Sequence, residues 1–217
     1  MATEDEAGFI DSTGKMVLQA FTGVGEFREG LAPVRVEKKW GFIDKTGNMV
    51  EVPTCQWLRP LAEGLSAYRQ EGKWGYVDAK GQPVIPARFA QAEDFSQGLA
   101  LVLLPGVRPD FRDGKYAFIN RAGEIVISLE TTGEARAEKK DFFSYFDMGG
   151  PDYKFTDGLV PVEKNGKFGF VDQTGKLVIP ATFGKARNFA EGLAPVGVGH
   201  KQGYIDKTGR FVWQTDN

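Results

Sequence analysis

The chain has 217 residues and a formal net charge of −2, from 27 basic and 29 acidic residues. No long basic run occurs, so the composition disfavours nucleic-acid binding through phosphate neutralisation. No apolar run approaches the roughly 20 residues of a membrane-spanning helix, and the first six residues lack the basic and apolar start of a secretory signal. We therefore expect a cytoplasmic protein without membrane or nucleic-acid contacts, with a flexible acidic tail over residues 1–7 and a single domain over 8–217.

A short phrase, aromatic-Gly-aromatic-aliphatic-Asp with another Gly three residues later, recurs along the chain. Partial or degenerate copies begin at Gly8, Tyr116 and Gly203. The aromatic and aliphatic residues favour a strand, and Asp-x-x-Gly favours a tight turn after it. The residues that define the three clearest copies are therefore predicted to be structural: Trp40, Asp44 and Gly47; Trp74, Asp78 and Gly81; Phe168, Asp172 and Gly175.

Two further features complete a repeating unit of about 34 residues. A Gly-Leu pair followed by small and β-branched residues, as at Gly30 and Gly192, predicts a strand before the phrase. Asn165-Gly166, Asp113-Gly114 and Glu71-Gly72 are hairpin turns by composition, and a valine three residues after each Asp-x-x-Gly predicts a third strand. Each unit is thus an antiparallel three-stranded meander, joined to the next by a short irregular or edge-strand return with apolar residues every third position.

These units predict an all-β repeat protein of about six small antiparallel meander units. No segment has sustained helical periodicity, and 28 glycines and 11 prolines interrupt the chain every few residues. Sheets this small must bury their aromatic faces on neighbouring units. Both a propeller-like ring and an open curved array would achieve this, and the ring is favoured because closure removes exposed sheet edges.

The phrases around Trp40 and Trp74 resemble the WG repeat family of bacterial proteins, which is named for its Trp-Gly pair. The resemblance extends from about Gly8 to Trp213, with Ala117, Asn120 and Gln202 departing from the phrase. It implies a scaffold used for binding and a bacterial origin, and it carries over no catalytic residue.

Two insertions interrupt the repeats. Successive Asp or Asn positions of the phrase are 33, 34, 42, 52 and 34 residues apart. The excess lies at about residues 103–112, within the first hairpin of one unit, and at 128–154, after its third strand. In an up-down-up meander both insertions emerge on one rim, and such loops are often the binding face of a repeat protein.

The longer insertion contains four aromatic residues and a methionine within seven residues, a composition enriched at protein interfaces. We therefore predict a non-enzymatic protein-protein interaction module that binds a partner through this rim, possible partners being a cognate toxin, neutralised as by an immunity protein, or a regulatory protein. An alternative of equal weight is that these aromatic residues fold back as an internal plug, which fills the gap left by the degenerate unit with Ala117 and Asn120. The predicted contact residues are Arg108, Phe111, Arg112, Asp141, Phe142, Phe143, Tyr145, Phe146, Asp147 and Met148.

A second functional hypothesis is a carbohydrate or small-ligand binder that uses a central channel or a row of repeat aromatics, namely Trp40, Trp74, Tyr116 and Phe168. A third, an enzyme with its site in the mouth of a ring, would need carboxylates from separate units to converge. A repeated aromatic is more often part of a repeating core, which favours the first hypothesis.

The sequence offers little material for catalysis or metal binding. Its single histidine, His200, lies in a Gly-rich hairpin, and its single cysteine, Cys55, is interpreted as a small core residue that forms no internal disulfide. The Asp-x-x-Gly turns supply too few oxygen ligands for calcium. We predict no enzymatic activity, no metal and no cofactor.

Overall fold

The computed structural model describes residues 7–106, 115–129, 153–164 and 166–215. These ranges contain strands and turns but no helix. The strands are β1 (Ala7–Ile10), β2 (Met16–Phe21), β3 (Gly23–Val24), β4 (Leu31–Val36), β5 (Lys39–Asp44), β6 (Met49–Glu51), β7 (Trp57–Leu58), β8 (Leu65–Gln70), β9 (Lys73–Asp78), β10 (Pro83–Phe89), β11 (Gln91–Ala92), β12 (Ala100–Leu103), β13 (Tyr116–Ile119), β14 (Ile125–Leu129), β15 (Leu159–Lys164), β16 (Lys167–Asp172), β17 (Leu177–Phe183), β18 (Lys185–Ala186), β19 (Leu193–Val198), β20 (Lys201–Asp206) and β21 (Phe211–Gln214).

The described residues divide into two compact units, 7–95 with 102–106, and 96–101 with those from 115 onward. In the first unit the sheets β1-β2, β3-β4-β5-β6 and β10-β9-β8-β7 are antiparallel, and β11 pairs with β12. In the second unit β13 pairs with β14, and the orders of the further sheets are β15-β16-β17 and β18-β19-β20-β21. This confirms the all-β repeat fold and its antiparallel hairpins. A ring or open array and a single domain over 8–217 stay predictions.

The complete sheets have one strand more than the predicted three-stranded meander. The return segment forms a two-residue strand, β3, β7 or β18, on the edge beside the Gly-Leu strand. In the sheet that ends the chain, Lys185 pairs with Gly197 and Ala186 with Val196. The apolar residues of the return segment do not continue at every third position, because the chain pairs for two residues and then turns toward the next Gly-Leu strand.

The Asp-x-x-Gly turns form as predicted. At Asp44 the carboxylate accepts the backbone N–H of Thr46 and Asn48 at 2.8 and 3.0 Å, and Gly47 closes the turn at a φ of 92°. In the degenerate unit Asn120 performs the same task, since its amide oxygen accepts the N–H of Ala122 at 3.0 Å. An amide oxygen suffices because the turn needs an acceptor, not a charge.

The glycine of the phrase is required where the third strand crosses it. A Cβ at Gly169 would lie 2.5 Å from the carbonyl oxygen of Ile179 and 2.7 Å from the nitrogen of Ala181. Ala117 occupies this position in the degenerate unit, where the pairing runs regularly through Ala117 and Ser128. The substitution thus falls where the strand pairing is regular.

Four phrases pack their second aromatic ring against the ring of the next unit's return segment. The ring centroids are 4.8 Å apart for Phe9 with Phe27 and for Tyr76 with Phe95, 5.0 Å for Phe118 with Phe155 and 4.9 Å for Phe170 with Phe189. Leu61 replaces the return ring in the buried cluster that contains Phe42. The repeated aromatics are therefore core residues, as offset and edge-on ring pairs require.

Candidate functional site

The predicted partner-binding residues lie outside the described part of the chain. They belong to residues 107–114 and 130–152: Arg108, Phe111, Arg112, Asp141, Phe142, Phe143, Tyr145, Phe146, Asp147 and Met148. Their prediction therefore stays a prediction. The described residues around these two segments define where the segments join the fold.

Both inserted segments join the same end of the β13–β14 hairpin. The first leads into β13, which begins at Tyr116, and the second follows β14, which ends at Leu129. Tyr116 and Leu129 are direct cross-strand partners. The opposite end of the hairpin carries the turn from Asn120 to Gly123. Both segments are thus attached to the described chain at one end of this hairpin.

The attachment points of the longer segment are packed into one hydrophobic cluster. Tyr153, the first described residue after it, is buried with Phe118 and Phe155. Leu129, the last described residue before it, packs against the same cluster. The two ends of residues 130–152 are therefore held by the core of the second unit.

A cluster of charges lies on the return segments of the first unit. The Arg59 guanidinium donates to the Glu93 carboxylate at 2.7 Å, lies 3.6 Å from Asp94 and stacks over the Trp74 ring at 5.2 Å. Burial lowers the pKa of Arg59, but the hydrogen bond and charge of Glu93 outweigh this effect and raise it. Arg28 pairs with Asp94 at 3.2 Å. These groups neutralise one another; Arg59 connects successive return segments, and Arg28 reaches the return segment two repeats further on.

Sequence reasoning missed this cluster, although the sequence carries a signal for it. Arg59 and Glu93 occupy equivalent repeat positions with opposite charge. Two residues of opposite charge that are one repeat length apart indicate an ion pair between neighbouring units.

Sequence reasoning also missed a hydrogen bond that recurs between units. The residue before each Gly-Leu pair lies in the left-handed region, with φ near 53° at Glu29, Gln97 and Asp157. The side chain of each accepts the backbone N–H of the equivalent glycine of the next unit. The distances are 2.8 Å from Gly64 to Glu29, 2.8 Å from Gly158 to Gln97 and 2.7 Å from Gly192 to Asp157. We call this contact the glycine clamp.

The sheet β18-β21 ends the described chain and exposes apolar residues. Tyr204 occupies the position of Phe42, Tyr76, Phe118 and Phe170, which are at most 1% exposed, yet Tyr204 is 45% exposed. It lines an open cavity of about 470 Å³ together with Arg187, Asn188, Ala190, Glu191, Leu193 and Pro195. We call this surface the end face.

The aromatic row considered for sugar binding does not form an exposed platform. Trp40 and Phe168 are buried core residues. Trp74 is half-buried under Arg59, and Tyr116 is half-buried at the start of β13. The repeat aromatics therefore serve packing.

The single cysteine and histidine occupy the places predicted for them. Cys55 is buried and its thiol donates to the carbonyl oxygen of Trp57 at 2.9 Å. Burial raises the pKa of this thiol to about 11, so it is a poor nucleophile near neutral pH. His200 lies exposed in the turn between β19 and β20.

Among the described residues, no group of three or more His, Cys, Asp or Glu side chains is placed to hold a metal ion. Across residues 7–106, 115–129, 153–164 and 166–215, no helix has the length and apolar character needed to cross a membrane.

The fold and its repeated phrase define a β-repeat protein, and a family model identifies the family. The model for the WG containing repeat matches residues 8–40, 40–74, 74–104 and 168–201, more than half of the chain. The chain therefore belongs to the WG repeat family, as the Trp-Gly phrases predicted. The unmatched stretch from 105 to 167 contains both insertions.

Comparison with one solved structure supports the all-β fold. A crystal structure described as the eukaryotic initiation factor has a TM-score of 0.52 at 12% identity, covering 88% of this chain and 52% of that one. Hsv2 of Kluyveromyces lactis has a TM-score of 0.44 at 13% identity, with coverages of 86% and 59%. A protein of unknown function from Bacteroides caccae has a TM-score of 0.35 at 16% identity, with coverages of 94% and 87%.

At such identities the likeness to the initiation factor concerns the fold alone, and this chain spans about half of that protein's length. No curated protein matches the sequence.

Proposed function

We propose that this chain is a non-enzymatic protein-binding module that engages a partner protein through the rim carrying residues 107–114 and 130–152. The observation that supports this most directly is the pairing of Tyr116 with Leu129, which brings the attachment points of both segments to one end of a single hairpin. Loops that join a repeat scaffold at one end of a hairpin are often its binding face.

The composition of the longer segment supports a protein as the ligand. It contains Phe142, Phe143, Tyr145, Phe146 and Met148 close together. Aromatic residues and methionine are enriched in interface cores and supply most hot spots. Its ends are held by the packed cluster around Tyr153. A rigid base under an aromatic loop lowers the entropy lost on binding.

The described ionisable groups support binding rather than catalysis. Arg59, Glu93, Asp94 and Arg28 form mutual ion pairs. The carboxylates of the Asp-x-x-Gly turns hold backbone N–H groups, and their pKa values are lowered at Asp11, Asp44, Asp172 and Asp206, first by hydrogen bonds from threonine hydroxyls. A general acid near neutral pH would need the opposite shift. A neutralising role toward a toxic or regulatory partner is one setting in which such a module works.

The test is affinity capture from the source cells with the full chain as bait, followed by mass spectrometry and a binding titration of the enriched partner. Replacing residues 134–151 by a Gly-Ser linker should abolish capture, and so should serines at Phe142, Phe143, Tyr145 and Phe146. A matched variant with serines at the nearby charges Glu138, Lys139 and Lys140 should retain most of the affinity, because the aromatics are unchanged.

Thermal unfolding of each variant separates lost binding from lost folding. If a stably folded linker variant captures the same partner with the same affinity, the rim is not the binding site. If the aromatic variant and the linker variant both unfold, the aromatic residues are an internal plug instead.

A further inference from the structure

The second aromatic of three phrases meets the same kind of group from the next unit. Tyr76, Phe118 and Phe170 each pack edge-on against the phenylalanine of a following return segment, with interplanar angles of 63°, 70° and 64°. That phenylalanine stands three residues before the glycine of a Gly-Leu pair, as Phe189 stands before Gly192. These three sheets therefore share one occupant chemistry, an aromatic-x-x-Gly-Leu segment, whereas Leu61 takes the place of the ring in the cluster of Phe42.

The glycine clamp fixes the same occupant in register. Asp157 accepts the N–H of Gly192 at 2.7 Å, three residues after Phe189 packs on Phe170. A single return segment thus packs its ring on an aromatic of the sheet and donates its glycine N–H to an acceptor side chain. The acceptor residue precedes the ring by 13 residues in the units without an insertion, as Asp157 precedes Phe170 and Glu191 precedes Tyr204.

The end face presents this arrangement with no occupant among the described residues. Tyr204 is exposed beside the open cavity, and Leu193 and Pro195 line the cavity floor. Glu191 has the φ of 53° that clamp residues share, and it lines the same cavity. Ring, acceptor and apolar floor are therefore in the relative positions that receive a return segment elsewhere in the chain.

We propose that the end face is a second docking site, which receives an aromatic-x-x-Gly-Leu segment of a partner protein that itself carries a WG-type repeat. The ring of that segment packs edge-on against Tyr204, its leucine strand lies toward Leu193 and Pro195, and its glycine N–H donates to the Glu191 carboxylate. This site is separate from the proposed rim and depends on different residues.

A second copy of this chain does not supply the segment. Phe27, Phe95, Phe155 and Phe189 each pack against an aromatic ring of their own preceding unit, and Leu61 is buried in the cluster of Phe42. A folded copy would have to open its own core to offer one of them. The occupant that we propose is therefore a different protein whose return segment is free.

The experiment uses the full chain and a defined probe. The probe is a fluorescein-labelled, backbone-cyclised peptide with the sequence of residues 183–201, which contains a return strand, the turn with Phe189 and Gly192, and the following Gly-Leu strand. Cyclisation is needed because isolated hairpins are marginally stable in water. Fluorescence anisotropy with rising concentrations of the chain should show saturable binding.

Three variants identify the contact. Tyr204→Ala should weaken binding about tenfold or more, as truncation of a buried aromatic anchor does. Glu191→Ala should weaken it severalfold, whereas Glu191→Gln should bind nearly as the natural chain does, because its amide oxygen accepts the same N–H as Gln97 does. A probe with serine in place of Phe189 should not bind. The matched control is Trp57→Ala, which removes an exposed aromatic of the first unit and should leave the affinity unchanged.

Each other outcome overturns the proposal. The end face is not this kind of site if the natural chain shows no saturable binding, if Tyr204→Ala binds equally well, or if Trp57→Ala loses as much affinity. Sedimentation velocity without the probe tests whether a second copy of this chain occupies the end face. A self-associated chain that Tyr204→Ala converts to monomer would assign the end face to a second copy instead.

Discussion

The sheets β15-β16-β17 and β18-β19-β20-β21 carry nearly the same phrase but differ in what covers them. Phe170 is 0% exposed and Ile179 is 1% exposed, because the next unit packs on them. At the equivalent positions of the end sheet, Tyr204 is 45% exposed and Trp213 is 56% exposed. The strands, turns and pairing are alike. The phrase determines the sheet, and the neighbouring unit determines which of its residues are core.

This difference teaches where function lies in a repeat protein of this type. A residue repeated in every unit is explained by packing wherever the next unit covers it. The two surfaces proposed for binding are a unit that departs from the pattern, at the two insertions, and a sheet that no described unit covers, at the end face. Two substitution pairs and one titration test this comparison.

The largest expected difference is between Phe170→Ala and Tyr204→Ala. Phe170 is fully enclosed, so its truncation leaves a cavity and should lower the free energy of unfolding by about 3–5 kcal/mol. Tyr204 already contacts solvent, so the same truncation should cost less than about 1 kcal/mol. Urea unfolding followed by tryptophan fluorescence measures both values under identical conditions.

Phe189→Ala is the control for this pair, because it removes the opposing ring and should lower stability nearly as much as Phe170→Ala. The double variant should lose less than the sum of the two single losses, since the rings contact each other at 4.9 Å. Equal losses for Phe170→Ala and Tyr204→Ala would mean that coverage by the next unit does not determine stability.

The second pair compares the clamp residues Asp157 and Glu191. In Asp157→Ala the N–H of Gly192 loses a charged acceptor at 2.7 Å. Glu191→Ala places the same alanine at the same φ of 53°, although Asp tolerates a positive φ better than Glu does. The difference between the two variants therefore contains the clamp and a smaller backbone contribution, and Asp157→Ala should be less stable than Glu191→Ala by about 1.5 kcal/mol or more, a typical value for a hydrogen bond to a charged group.

Asp157→Asn provides the matched control, since it keeps an acceptor oxygen and tolerates positive φ. It should retain most of the stability that Asp157→Ala loses. A hydrogen-exchange measurement at the Gly192 amide adds a local readout, because that amide should lose protection in Asp157→Ala alone. If Glu191→Ala is as destabilising as Asp157→Ala, the clamp contributes nothing.

Local chemistry made much of the fold predictable. The Asp-x-x-Gly turns follow from interactions over two to four residues, and Asn120 shows that any short acceptor at this position suffices. The Gly-Leu strand, the phrase strand and the third strand also follow from local patterns. Membership of the WG repeat family follows from the Trp40 and Trp74 phrases, which the family model matches.

Contacts between units were not predictable in the same way. The clamp needs residues such as Asp157 and Gly192, which are 35 positions apart, so no local pattern reveals it. The two-residue return strands were described only as irregular or edge segments. Tyr204 is 45% exposed because no described unit packs on it, and the phrase around Tyr204 does not encode this difference from Phe170. The predicted rim residues in 107–114 and 130–152 lie outside the described chain and stay predictions.

The smallest expected effect concerns the turns, which should behave alike in covered and end sheets. Asp172 and Asp206 each accept a threonine hydroxyl at 2.6 Å, and these bonds come first among the causes that lower the pKa of both carboxyls. The pKa of Asp in an unfolded chain is about 3.9. Because the folded pKa is lower, each turn contributes stability that is fully present above this pH and is lost as the pH falls through the folded pKa.

The measurement is the urea midpoint at pH 5, 4, 3 and 2 for the natural chain, Asp172→Asn and Asp206→Asn. Each variant keeps the acceptor oxygen but no longer titrates, so stability should fall less steeply below about pH 3.9 than in the natural chain. The slope should decrease in both variants, because the turns are exposed whether or not the sheet above them is covered. A flattened slope in Asp206→Asn alone would show that coverage alters turn chemistry as well as burial, and the comparison between the two sheets would then extend to their polar edges.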